Sequence, residues 1–262
     1  MKPLTLEDVR RAILGRWINR DDAVTITGVS TDTRSARAGD LFIALSGERF
    51  DGHTFLRQAA EAGCMAAVVQ ADAAIPPDVA TLFRGGLVGV KSTVAALGEL
   101  AIADRRSQAA HVIAVTGSNG KTTVKRMIHH ILSKRLRGSC SPKSFNNEIG
   151  VPLTLLAVSP GDDYVVCELG TNNPGEIAHL ARMVRADVAV ITSLAAAHLE
   201  RFGDLSRIAA EKASLLGSLS ANGVAIIWGD NDLLEKAAAA YGHRLIHFGD
   251  RKSTRLNSSH RL

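Results

Sequence analysis

The chain has 262 residues, 46% of them hydrophobic and 22% charged, which excludes a disordered chain and suggests two domains as a first reading of length. The formal net charge is +5, but residues 251–262 hold four Lys and Arg and no acid. Without them 27 Lys and Arg face 26 Asp and Glu, so the basic excess is a property of the tail and nucleic-acid binding loses its main support.

In chain order, residues 5–14 read as a helix, with Leu6, Val9, Ile13 and Leu14 on one face and Thr5 as cap. The same opening segment carries acids and no long apolar core, so it is not read as a signal peptide. Residues 24–29 and 40–45 read as strands joined by the polar loop STDTRSARAGD. A helix over 54–62, a buried strand over 65–69, a proline turn at 75–78 and a helix over 92–103 follow. DRRSQ, at 104–108, is the expected domain boundary. From there strands at 111–115, 164–168, 187–194, 224–228 and 244–248 alternate with helices at 122–133, 175–184, 205–219 and 231–241. Continuous Val and Ile runs between helices predict a mostly parallel sheet covered on both faces. The fold class is therefore α/β, divided into 1–108, 109–250 and a tail, 251–262, that abandons the pattern and reads as non-native sequence. No apolar run reaches the length of a membrane span. Cys64, Cys140 and Cys167 are odd in number and far apart, which argues against a disulfide framework or a zinc site and for a reduced, cytoplasmic chain.

The chemistry concentrates at Thr116-Gly117-Ser118-Asn119-Gly120-Lys121-Thr122-Thr123, between a strand and a helix. Glycines let the backbone approach phosphate oxygens, and freed amides at a helix N-terminus point at the anion. Lys121 can reach terminal phosphates, and Thr122 or Thr123 can offer a hydroxyl to Mg2+. The strict pattern GxxxxGK[ST] would need glycine where Val115 stands, so the loop is a shortened GxxGKT form. Glu168 ends an apolar strand, where acids face the ligand crevice of such sheets, and His198 follows the next strand closely enough to reach the same place. His129, His130 and His179 read as structural or surface residues.

Five segments now fall into order: the loop, SFNNEIGVPLTLL (144–156), ELGTNNPGEIAHL (168–180), AAAHLERFG (195–203) and the lysine-bearing IAAEKASLL (208–216), preceded by STDTRSARAGDLFIALSGERFDGHTF (30–55). Together they resemble the Mur ligases of peptidoglycan synthesis, over roughly residues 25–230. The resemblance implies a UDP-substrate domain followed by a phosphate-loop ATPase domain. It implies ATP and Mg2+ as cofactors, and a monomer. It is nearest to the branch that joins D-Ala-D-Ala to UDP-MurNAc-tripeptide through an acyl phosphate.

By that resemblance Gly117, Ser118, Asn119, Gly120, Lys121, Thr122, Thr123 and Asp230 contact the nucleotide. Thr122, Glu168 and His198 hold the metal, and Lys121, His198 and Lys212 serve catalysis. Lys212 matches a lysine that is carbamylated in several members. Thr33, Arg34, Ser46, Gly47, Asp51, Gly52 and His53 face the UDP-sugar, and Asn146 and Asn147 line the junction of the two sites. Two departures stand out. Trp228 takes the place of an expected asparagine near the base, and the chain stops before the family's third domain, so weak or no ligation by this piece alone is expected. A ligase adding the third stem residue, a folate polyglutamate ligase and a non-catalytic nucleotide-binding fragment remain the alternatives.

Overall fold

The structure, a computed structural model, describes residues 1–20, 22–47, 50–196 and 199–249. Two sheets carry the chain. The first contains β1 (Arg16–Arg20), β2 (Gly28–Ser30), β3 (Asp40–Ile43), β4 (Ala66–Gln70) and β5 (Gly86–Val90), in spatial order β1-β5-β4-β3-β2. All its pairings are parallel except β1 against β5. The second contains β6 (His111–Thr116), β7 (Gly138–Cys140), β8 (Tyr164–Glu168), β9 (Val188–Ile191), β10 (Val224–Trp228) and β11 (Arg244–Phe248), all parallel, in order β7-β8-β6-β9-β10-β11. The expected α/β architecture with a parallel second sheet is present, and β8, β10 and β11 match the sequence reading residue for residue.

The differences have local causes. Helix α1 (Leu6–Ala12) opens on the expected Thr5, with a reciprocal capping box to Asp8. It stops two residues early, because Leu14 turns to the left-handed region (φ +50). Leu14 is therefore 91% exposed and not on the buried face. Strand β1 lies outside the elements expected from sequence; it is an edge strand whose residues alternate between exposed and half-buried. Its partner β5, GLVGV, was also missed, since glycines argue against strands. Here they are needed. A Cβ at Gly86 (φ +88) would stand 2.5 Å from the Asn19 carbonyl oxygen, and one at Gly89 would meet Ile18. Strand β7 is short and polar, and Gly138 lies so close to Tyr164 that a Cβ would come within 2.3 Å of its carbonyl.

One large core joins the two sheets. It runs from Leu41, Ile43, Val68 and Val88 of the first to Ala114, Val165, Ile191 and Ala225 of the second. Between them lie α2 (Thr93–Arg105), α3 (Gly150–Leu156) and α4 (Glu176–Val184), which pack on one another. Helix α2 extends two residues into the stretch expected to be a linker. Its Arg105 donates to the carbonyls of Val184 (3.1 Å) and Arg185 (3.3 Å) and pairs with Asp187 at 3.3 Å. The amino group of Met1 donates to the carbonyls of Leu156 and Val158 at 3.0 and 2.6 Å. No helix among the described residues is long and apolar enough to cross a membrane.

Because Leu155 is fully buried where these helices meet, Leu155→Ala is expected to cost about 2–5 kcal/mol. A urea melt followed by circular dichroism should move to lower midpoint as a single transition; two separated transitions would show that the sheets do not share this core.

Candidate active site

Strand β6 ends at Thr116, whose hydroxyl donates to the Leu169 carbonyl at 2.9 Å. The chain then bends through Gly117 (φ +144) and Gly120 (φ +80) into α5 (Lys121–Leu132). At Gly117 a Cβ would stand 2.1 Å from the Thr192 hydroxyl, so only glycine lets the loop lie against its neighbour. That neighbour is Thr192–Ala195. Residues 192–194, read from sequence as part of a strand, leave the sheet after Ile191 and strap the loop. The Ser118 amide donates to the Ser193 carbonyl (3.0 Å) and the Asn119 amide to the Ser193 hydroxyl (2.9 Å). The Thr192 hydroxyl donates to the Asn119 carbonyl (2.5 Å), and the Ala195 amide to the Ser118 hydroxyl (3.0 Å).

The first amides of α5 lack intrahelical acceptors by helix geometry and sit at the positive end of its dipole. Lys121 curls back over the bend, donating to the Gly117 and Ser118 carbonyls at 2.8 and 3.4 Å. Burial pushes its pKa down, against the nearby Glu168 charge, which raises it. The bend, the amides and the lysine together form a cradle for phosphate. Thr122 faces inward and donates to Glu168 Oε2 at 2.8 Å, whereas Thr123 is exposed. Of the two hydroxyls left open by the sequence, Thr122 is the one beside the carboxylate.

Glu168 is 1% exposed at the end of β8. Its Oε1 accepts from Asn146 (3.1 Å), and its amide donates to the Ser141 hydroxyl (2.8 Å). Its Oε2 also forms an ion pair at 3.0 Å with Lys125, which is itself 1% exposed. Burial alone would raise the Glu168 carboxyl; the hydrogen bonds from Lys125, Thr122 and Asn146 outweigh it and hold the pKa below its ordinary value. Sequence reading missed Lys125, Ser141, Thr192 and Ser193. One signal was available for the lysine: it lies three residues after Thr122, on the same helix face.

Lys212, on α6 (Leu205–Ala213), is 5% exposed and not the surface lysine that helical position alone allows. Burial and then the charge of Lys121 push its pKa down to about 8, against Glu211 and Glu176. The preceding residue, Glu211, accepts from the amides of Gly175 and Ile177, both at 2.8 Å, and from the Thr171 hydroxyl at 3.2 Å. It thereby caps α4 and fixes the 171–177 turn beside the crevice. His198 lies outside the described residues. Among those described, no group of three or more His, Cys, Asp and Glu is set to hold a metal.

The remaining expected residues divide. Asn146 reaches Glu168, whereas Asn147 turns the chain, accepting from the Ile149 and Gly150 amides. Asp230 follows β10, close against Gly249, and has interactions of its own; the next residue, Asn231, caps the helix Asp232–Ala239. In the first sheet's loops, Arg34 chelates Asp32 and is exposed, and Thr33 contacts Gln58 at 3.4 Å. Ser46 and Gly47 pair with Asp51 and Phe50 in a short antiparallel ladder. Gly52 is buried, and a Cβ there would come within 2.6 Å of the Leu45 carbonyl. His53 donates from Nδ1 to Asp51 and accepts at Nε2 from the Gln70 amide at 2.9 Å. Both ring nitrogens are thus committed to holding the turn.

These features define a phosphate-loop protein with a carboxylate at its parallel-sheet crevice. The Mur ligase middle domain matches residues 115–261 and the Mur ligase family catalytic domain residues 25–105; the chain belongs to the Mur ligase family. It is 44% identical to the UDP-N-acetylmuramoyl-tripeptide--D-alanyl-D-alanine ligase of Escherichia coli K12, over 88% of this chain and 49% of the relative. It is 39% identical to the enzyme of the same name from Bacillus subtilis 168, over 89% and 50%. A crystal structure of MurF from Acinetobacter baumannii superposes with TM-score 0.82 at 34% identity, over 95% of this chain and 54% of that one. MurF ligase from Thermotoga maritima in complex with ADP gives 0.74 at 31%, over 86% and 50%. The chain spans about half the length of the curated relatives it matches.

The Lys212 proton provides a test of its burial. The unfolded chain holds that proton up to about 10.5 and the folded chain releases it near 8. Between those values unfolding takes up a proton, so stability rises with pH; below 8 the full penalty is present. Lys212→Met is therefore expected to stabilise by on the order of 3 kcal/mol at about pH 7, with the gain shrinking toward pH 10. Urea melts at about pH 7 and about pH 9.5 compare the two; an equal gain at both would contradict the shift.

Proposed function

We propose that this chain supplies the UDP-substrate and ATP-binding portion of an ATP-dependent amide ligase that joins D-alanyl-D-alanine to UDP-MurNAc-tripeptide. The observation that carries the reading is the meeting at Glu168. The carboxylate takes one hydrogen bond from the phosphate loop, through Thr122, and one from the NNEIG turn, through Asn146. The names and the ADP complex of the relatives support it.

A carboxylate is a poor electrophile because its leaving group would be oxide. In the proposed reaction the tripeptide carboxylate oxygen attacks the γ-phosphorus, the bond from the γ-phosphorus to the β-γ bridging oxygen breaks, and ADP departs. The amine of D-alanyl-D-alanine then attacks the acyl carbon and loses a proton, and phosphate leaves with the C–O bond pair. The protein's share is positioning and charge neutralisation. The amides that open α5 hold phosphate oxygens, and Lys121 swings from its loop carbonyls onto the terminal phosphates. The 192–195 strap keeps the bend from opening.

Thr122 and Glu168 present a hydroxyl and a carboxylate oxygen 2.8 Å apart. This all-oxygen donor set fits Mg2+, which keeps its waters and takes few protein ligands. Thr122 and Glu168 would hold the ion, with His198 by resemblance, and it would offset charge on the phosphates. Lys212, its pKa lowered by burial to about 8, presents more of the neutral amine that adds to carbon dioxide than an ordinary lysine does. The resulting carbamate would replace a cation with an anion facing the same crevice. The setting proposed is the cytoplasm.

The test is phosphate release from ATP with UDP-MurNAc-tripeptide and D-alanyl-D-alanine, measured on a reading frame of the relatives' length. Turnover with UDP-MurNAc-dipeptide and a diamino acid instead would move the assignment to the ligase for the third stem residue. Lys121→Ala is expected to lower kcat/KM at least 100-fold, roughly the loss seen when one preorganised cationic or hydrogen-bonding contact to transition-state charge is removed. Near-normal turnover by that variant would remove Lys121 from the mechanism.

A further inference from the structure

The proposed reaction uses the loop, Lys121, Thr122 and Glu168, and leaves one buried cation unexplained. Lys125 is 1% exposed on a helix whose other inward residues, Val124 and Ile128, pack on Val115, Val166 and Val190. A lysine is rarely kept at such depth without a specific partner. Its ammonium makes two contacts, to Glu168 Oε2 at 3.0 Å and to the Lys143 carbonyl at 2.5 Å. Lys143 is itself unusual, a non-glycine residue in the left-handed region (φ +44), and in that conformation its carbonyl meets the ammonium.

The segment containing Lys143 wraps Glu168 at two further points. The Ser141 hydroxyl accepts from the Glu168 amide and donates to the Val166 carbonyl, and Asn146 donates to Glu168 Oε1. Three pieces of chain therefore meet at one carboxylate: the loop helix, the end of β8 and the 141–146 segment. Lys125 is the side chain that ties the helix to the other two.

We propose that Lys125 is a positioning residue, which fixes the Glu168 carboxylate and the 141–146 segment so that the loop can accept a metal-bound nucleotide. The inference rests on the reading of Glu168 as a metal ligand given above. Lys125 lies beneath the carboxylate and acts through it. Groups that orient a metal ligand in this way govern metal affinity, and their loss typically costs about 10–100-fold.

The test is a titration of a fluorescent ATP analogue against the whole chain, in EDTA and in Mg2+, for the unsubstituted protein and Lys125→Met. The expected result is near-equal binding in EDTA with the Mg2+ requirement raised about 10-fold or more in the variant. A variant that keeps the same Mg2+ requirement, or needs less, overturns the proposal while leaving the ligase reading intact. Absence of nucleotide binding by the unsubstituted chain overturns both. Should Lys125→Met fail to fold, the 15N resonance of the Lys125 ammonium in the unsubstituted protein decides the matter. It is expected to shift when Mg2+ and ADP are added together and not with ADP alone. A resonance that stays in place under both conditions overturns the proposal.

Discussion

A single buried carboxylate organises the second sheet's crevice. Moving an ionised Glu out of water is costly unless cations and donors surround it, and the Glu168 carboxylate has three such groups, Lys125, Thr122 and Asn146, while its backbone amide donates to Ser141. These come from two separated stretches of chain, 122–125 and 141–146. Each would be unremarkable alone, and each is held in place by the need to satisfy the same charge. Removing any one leaves a buried acceptor short of a partner, which is why the cluster acts as a unit.

The phosphate loop depends on a second constraint of the same kind. A bend with two left-handed glycines has little to hold its shape from within. Its rigidity comes from outside, from the hydrogen bonds that Ser118 and Asn119 make with Thr192, Ser193 and Ala195. Those residues follow β9, the strand beside β6, so the parallel pairing of the two strands delivers the strap to the loop. Lys121 rests on loop carbonyls. Its lowered pKa and that of Lys212 have one origin, two ammonium groups drawn into a partly desolvated crevice. An anionic ligand would relieve both.

The first sheet is tied to this crevice by packing. Helix α3 begins immediately after the asparagine turn and rests against α2 and β2. Strand β2 leads directly into the loop that carries Thr33 and Arg34. The continuous core thus sets the distance between the loops of the first sheet and Glu168. Some of the residues expected to face a sugar nucleotide also hold those loops together. His53 is spoken for by Asp51 and Gln70, and Arg34 by Asp32.

Local pattern was sufficient for the elements that are buried on both faces and bounded by sharp turns. Strands β8, β10 and β11, the capped start of α1 and the glycine-lysine bend could be read directly, because a run of Val and Ile or a GxxGKT loop has few other stable uses. Strands β1, β5 and β7 could not. Their glycines and alternating polar residues are explained only by how closely Asn19, Ile18 and Tyr164 approach them. The same holds for the site. Sequence placed Lys121, Thr122 and Glu168 on the correct loop and strand end, and only tertiary structure decided that Lys125 is buried beneath the carboxylate and that residues 192–195 leave the sheet to strap the loop. The physical reason is that charge burial and loop rigidity depend on partners distant in the chain, whereas strand and helix propensity depend on neighbours.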